Sequence, residues 1–245
     1  MNYKLSVSIF SLITAIALCS CSPIEGPQRK ILTEMTTIQL PPVSNQDINI
    51  EFVYDASGSM GETVKDSKGK SQKKYIVANN ALLSAATIIQ GFSMATNRNI
   101  NCGMWMLRGG SPAKVFDLDK FNINRFNSFC KNFDEPSGNT PLGLTIDGAA
   151  CDVLRKRVFK NYIVVISDGE SNSGRDPYES IVEKTNFANN EANLKFFFIA
   201  FDVNSSVFKS IKKLSNVDVF EAADEKQLTE RLGFIVEKKI LLENE

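Results

Sequence analysis

The spacing of apolar and polar positions changes period several times along the 245-residue chain. Residues 48–55, INIEFVYD, are rich in β-branched and aromatic side chains and predict a strand. YIVANNALLSAATIIQ, residues 75–90, reads as a helix. Strands are expected at 99–107 (NINCGMWML) and 113–117 (AKVFD), with a helix over 119–132. After Pro141, residues Leu142, Ile146, Ala149 and Val153 recur at i, i+4, i+7 and i+11 and share one helical face. NYIVVISDG (161–169) and LKFFFIAFDV (194–203) are nearly continuous apolar runs, the pattern of strands buried on both faces of a parallel sheet. Phe196, Phe197 and Phe198 accordingly belong to the core. A helix over about 178–192 lies between those strands, and a short helix near 205–214 and a strand at 217–223 follow. Asp224 and Gln227 have capping-box spacing and open a last helix running through Leu228, Leu232, Ile235 and Ile240. Strands alternating with helices predict a doubly wound α/β fold, a mostly parallel sheet flanked by helices, as one domain over residues 48–245. Ligands in such sheets bind outside the carboxyl ends of the strands, where Asp55 and Asp168 both fall.

The first 47 residues follow a different pattern. Lys4 precedes an apolar run of about 14 residues, Leu5 to Leu18, too short to span a bilayer comfortably and suited to a signal-peptide core over residues 1–20. Leu18-Cys19-Ser20-Cys21 resembles the lipobox of bacterial lipoproteins, which implies that Cys21 becomes the acylated first residue. Cys19 is a poorer candidate, because Leu18 fits the small-residue position badly. Ser22 rather than aspartate after Cys21 then implies sorting to an outer membrane. Residues 21–47 hold four of the eight prolines and read as a semi-extended tether between lipid and domain. Export would expose Cys102, Cys130 and Cys151 to an oxidising compartment, where one pair could bridge or all three stay as buried thiols.

Composition narrows the function. Lys+Arg and Asp+Glu both total 28, so no global field draws the protein to nucleic acid. The chain has no histidine, which removes the commonest general base, the Ser-His and Cys-His nucleophile pairs and most zinc sites. Ser-x-x-Lys occurs at Ser71–Lys74, Ser111–Lys114 and Ser210–Lys213, but the partner motifs of serine acylation are missing. No Walker A or G-x-G-x-x-G phosphate loop is present.

Three segments carry the remaining chemistry. D-A-S-G-S (55–59) follows the first strand, G-N-T-P-L-G (138–143) opens a helix, and I-S-D-G-E (166–170) closes the strand IVVISDG. In type, order and position they resemble the metal-ion-dependent adhesion site of von Willebrand factor A (VWA) domains. The resemblance covers about residues 48–240 and implies a metal site of Asp55, Ser57, Ser59, Thr140 and Asp168. The family's third-loop aspartate, here Asp168, usually reaches the metal through water, and an acidic side chain of a partner fills an open coordination position. Hydroxyl and carboxylate oxygens are hard ligands suited to Mg²⁺ or Mn²⁺, with Ca²⁺ ranked lower because it prefers more oxygens. Each piece also has an ordinary use: serine turns at Ser57 and Ser59, an N-cap at Thr140 before Pro141, and a turn at Asp168-Gly169.

The expected activity is therefore recognition rather than catalysis: a lipid-anchored envelope protein that binds a protein partner's exposed Asp or Glu through the metal. The alternative is a metal-independent scaffold in a secretion, pilus or surface-assembly complex. A metal-assisted hydrolase would need a base near the site, and Glu170, Asp134 and Glu135 are the nearby candidates. Residues 61–74, GETVKDSKGKSQKK, interrupt the compact form of the family with five lysines. They read as a solvated loop, or as a positive lip that steers an acidic partner.

Overall fold

Strand β1 (Ser44–Asp55) occupies the middle of the sheet, paired in parallel with β4 (Ile100–Arg108) on one side and β6 (Val158–Ser167) on the other. This computed structural model describes residues 44–243 apart from 67, 97 and 189–191. The signal segment 1–20, Cys21 and the tether up to residue 43 lie outside the described residues. β1 begins at Ser44, earlier than the pattern indicated, with a register irregularity between Ser44 and Ile48.

The six-stranded sheet has the order β5-β4-β1-β6-β7-β8, with β5 (Ser111–Lys120), β7 (Asn193–Phe201) and β8 (Val217–Ala222) completing it. All pairings are parallel except β4 with β5, which is antiparallel. Side chains alternate between two cores. Ile48, Ile50, Phe52 and Tyr54 face the core shared with helix α1 (Lys74–Thr96), α2 (Ile123–Lys131) and α5 (Glu225–Phe234). Val53, Ile163, Val165, Phe196 and Phe198 face the core shared with α3 (Leu142–Arg155) and α4 (Pro177–Ala188). Helices thus cover both faces, so β6 and β7 need apolar residues at consecutive positions. The fold is the expected doubly wound α/β domain.

Four local expectations change. The expected 113–117 strand is longer, because an edge strand carrying Lys114, Asp117, Asp119 and Lys120 shows no apolar alternation beyond its middle. Residues 205–214 form two 3₁₀ turns, Ser205–Phe208 and Ile211–Lys213, rather than one helix. The last helix keeps its Asp224 cap, whose carboxylate accepts from Gln227 N at 2.8 Å, but widens into a π-helix over Ile235–Leu241. The lysine-rich insert keeps Lys65, Lys68 and Lys70 in solvent but is not an irregular loop. It is a hairpin of β2 (Thr63–Lys65) and β3 (Ser71–Lys73), turned by Asp66, which accepts from the amides of Lys68 and Lys70 at 2.9 and 2.7 Å. Cys102, Cys130 and Cys151 are not joined in disulfides, and Cys102 and Cys151 are buried.

Candidate metal centre

The carboxyl ends of β1 and β6 lie side by side, and the loops leaving them meet the loop before α3. Backbone hydrogen bonds fix the first junction: Ser137 N donates to Ala56 O at 2.9 Å and Gly58 N to Gly138 O at 3.1 Å. Gly138 has φ +80°, and a Cβ there would lie 2.5 Å from Gly109 Cα, so this close approach requires glycine. Asn172 fixes the second junction, accepting from Thr140 N at 2.8 Å and donating its own amide to Thr140 O at 3.2 Å. The Ser171 hydroxyl also donates to Thr140 O, at 3.2 Å.

Hydrogen bonds bring Asp55, Ser57, Ser59 and Asp168 together at this junction, while Thr140 is tied by its backbone to Asn172 and Ser171. Asp55 is fully buried; one carboxylate oxygen accepts from Ser57 N at 2.8 Å and the other from the Ser167 hydroxyl at 2.5 Å. The hydroxyls of Ser57 and Ser59 are 3.3 Å apart, and Ser59 Oγ donates to Asp168 Oδ1 at 2.7 Å. Thr140 is buried, two residues after Gly138, whose carbonyl accepts from Gly58 N. Burial pushes the Asp55 carboxyl up to about 6, against the pull of hydrogen bonds from Ser167 and Ser57, and the nearby Asp168 charge adds to the rise.

The ordinary uses of these residues lose ground here. α3 starts at Leu142 with Pro141 at the cap position, which puts Thr140 one residue before the N-cap. Ser57 precedes the 3₁₀ turn Gly58–Gly61 and makes no side-chain cap bond. The two serine hydroxyls face each other and a carboxylate instead.

The donor set fits a hard divalent cation. Two buried carboxylates and neighbouring hydroxyls, all oxygen, form the arrangement that Mg²⁺ and Mn²⁺ prefer. The buried Asp55 carboxylate is a group whose charge a cation would stabilise. Among the described residues no cluster of three or more His, Cys, Asp or Glu side chains is arranged to hold a metal, at this junction or away from it, so the candidate set depends on its hydroxyls beside two carboxylates.

Sequence reasoning missed three residues at this site. Ser167 orients Asp55. Asp202, at the carboxyl end of β7 and held at φ +55°, approaches the junction from the next strand. Lys74 is the third. It closes the hairpin insert, is 4% exposed, and donates to Asp168 Oδ2 at 2.9 Å. It also pairs with Asp202 at 3.1 Å and Glu62 at 3.5 Å. Burial works against the Lys74 ammonium, but the hydrogen bonds and charges of Asp168 and Asp202 outweigh it and hold its pKa above the ordinary lysine value. The strand-end rule that selected Asp168 also marks Asp202; no simple signal separates Lys74 from the four other lysines of the insert.

Two of the three candidate bases for hydrolysis are in ion pairs: Asp134 pairs with Arg108 at 2.8 Å, and Glu135 pairs with Lys73 on the surface. Glu170 is exposed on the cleft beside the third loop.

No protein-family model matches the chain, and no curated protein does. Solved structures do share its fold. A von Willebrand factor type A structure from Catenulispora acidiphila superposes with a TM-score of 0.57 at 13% identity, covering 80% of this chain and 42% of that one. Proximal thread matrix protein 1 from the mussel byssus, with a zinc-occupied MIDAS motif, gives 0.59 at 14% identity, covering 80% of this chain and 48% of that one. The PilB minor pilin of Streptococcus sanguinis gives 0.59 at 14% identity, covering 89% and 63%. The chain therefore spans less than two thirds of these neighbours. The fold is that of VWA domains.

Proposed function

We propose that this chain is a lipid-anchored envelope protein whose VWA-type domain binds a protein partner through a divalent cation held by Asp55, Ser57, Ser59, Thr140 and Asp168. The observation that carries the reading is the meeting of three sequence-distant loops, where the Ser59 hydroxyl touches both the Ser57 hydroxyl and Asp168 beside a fully buried Asp55. When bound, the cation supplies an electrophilic position for a hard, charged ligand, which an Asp or Glu of the partner would best provide. Asp55 and Asp168 balance its charge, the hydroxyls leave it electrophilic, and Ser167 holds Asp55 in orientation. A cleft lined by residues 170–177 and 207–211 opens beside the third loop and offers room for a partner's surface. Mg²⁺ or Mn²⁺ suits the oxygen donors, and the mussel neighbour's zinc indicates that such a motif is not restricted to them. The pilin neighbour supports an interaction role at a bacterial surface rather than catalysis. The lipobox-like segment at Cys21 supports lipid anchoring, with outer-membrane sorting from Ser22.

Partner capture by crosslinking, with and without EDTA, tests the metal contact. Chelation and Thr140→Ala should each reduce capture by about tenfold or more, the scale of losing an interface hot spot. Capture indifferent to both points instead to a metal-independent scaffold on the same fold. The anchor is tested separately. Cys21→Ser should abolish acyl labelling and shift the protein out of the outer-membrane fraction, and full labelling of that variant would rule Cys21 out.

A further inference from the structure

Lys74 does more than decorate the insert. The hairpin β2–β3 and the start of α1 deliver its ammonium into the carboxylate group that borders the candidate metal site, and the Lys74 amide is itself fixed to Glu62 O at 2.8 Å. Asp168 is shared between two sides. Its Oδ1 accepts from the Ser59 hydroxyl at 2.7 Å and its Oδ2 from Lys74 at 2.9 Å. A lysine so buried is held there by its three carboxylate partners, since an unpaired ammonium is costly to desolvate.

We propose that Lys74 is a tethered cation that competes with the divalent ion for Asp168, so that the position of the hairpin sets the affinity of the site. The inference rests on the metal-site reading above. A divalent ion and an ammonium on the same carboxylate repel one another, and both draw on the same negative charge. Metal binding therefore weakens the Lys74–Asp168 pair and loosens the hairpin. By linkage, whatever draws the hairpin and Lys74 away strengthens metal binding by the same factor. A partner that engaged the exposed Lys65, Lys68 and Lys70 on the hairpin would act in that direction. A purely structural ion pair predicts the opposite sign, because losing Lys74 would leave Asp168 less well positioned and the metal more weakly held.

The test is a titration of the full chain with Mn²⁺ alone, with free Mn²⁺ read by electron paramagnetic resonance, for the parent, Lys74→Gln, Lys74→Arg and Asp55→Ala. Lys74→Gln should bind at least about tenfold more tightly, equivalent to about 1.4 kcal/mol. Lys74→Arg should stay near the parent, and Asp55→Ala should bind roughly a hundredfold or more weakly. Equal or weaker binding by Lys74→Gln, with the parent still binding, overturns the competition and leaves the metal site standing. Absence of Mn²⁺ binding in both parent and Lys74→Gln overturns the metal reading and this inference together. Should circular dichroism show Lys74→Gln unfolded, amine acetylation of the parent, read residue by residue by mass spectrometry, decides the matter. Lys74 labelling should rise severalfold at saturating Mn²⁺, and unchanged labelling overturns the inference.

Discussion

Asp55→Ala should lower Mn²⁺ or Mg²⁺ affinity by roughly a hundredfold or more, since even the outer partners of metal ligands are worth about ten- to a hundredfold. The fold should survive. Asp55 is the last residue of β1, paired with Leu107 of β4 through its backbone, which alanine keeps, and burial pushes its carboxyl up to about 6, so in the metal-free protein its charge is a cost. The substitution leaves the Ser57 amide and the Ser167 hydroxyl without their carboxylate acceptor, an expense that offsets part of the gain. Isothermal titration with Mn²⁺ and a urea melt on the same preparation separate the two effects. Metal binding equal to the parent's would remove Asp55 from the site.

Glu51→Met should stabilise the protein at pH 8 by about 1–4 kcal/mol, the range seen when buried charges give way to apolar groups of similar volume. Glu51 lies in the middle of β1, fully buried, and neither carboxylate oxygen has a hydrogen-bond partner among the described residues. Its space exists because residue 103 on the neighbouring strand is glycine; a Cβ there would sit 2.2 Å from Glu51 Oε1. Burial drives the Glu51 pKa well above the usual value, the Asp152 charge adds to the rise, Lys114 opposes it and Asp117 adds a little more. A raised carboxyl pKa means that the folded state holds its proton more tightly than the unfolded state does. Stability from this group is fully present below the unfolded value near pH 4.5 and falls as pH rises toward the folded pKa. The parent should therefore lose up to about 1.4 kcal/mol per pH unit from this group above pH 5, a slope that Glu51→Met should lack. Urea denaturation at pH 5 and pH 8 measures the difference. A variant less stable than the parent at both values would show that Glu51 is satisfied in a way its surroundings do not reveal.

The sequence disclosed those parts of the molecule in which local pattern and tertiary role agree. β6 and β7 carry apolar residues at consecutive positions because helices cover both their faces, and they were readable for that reason. The D-x-S-x-S motif was readable because its spacing survives intact and the other two loops follow it in order. Elements shaped by contacts far along the chain were not. β5 is an edge strand with six of its ten residues exposed, so its charged positions broke the alternation. The π-helix keeps an apolar face against α1 while changing its hydrogen-bond step, which composition does not register. Lys74 looked like one of five solvated lysines, and its burial depends on Asp168 and Asp202, more than ninety residues away in the chain. A buried charge cannot be read from its neighbours in sequence when its partners come from other strands.

The placement of β1 has a consequence for how the chain assembles. Among the described residues the first strand to be synthesised is the central one, and its two neighbours are supplied by residues 100–108 and 158–167. A ribosome that has delivered Thr140 has made two of the three site loops, yet one edge of β1 still lacks its partner. Closing that edge requires ordering about a hundred intervening residues, an entropic cost repaid only when β6 docks, and long-range parallel pairing of this kind is slow. Until then the nascent domain presents an apolar strand with open backbone donors and acceptors, the geometry that recruits another chain. Any truncation ending before Ser167 should behave the same way, remaining a sticky intermediate rather than a smaller version of the domain.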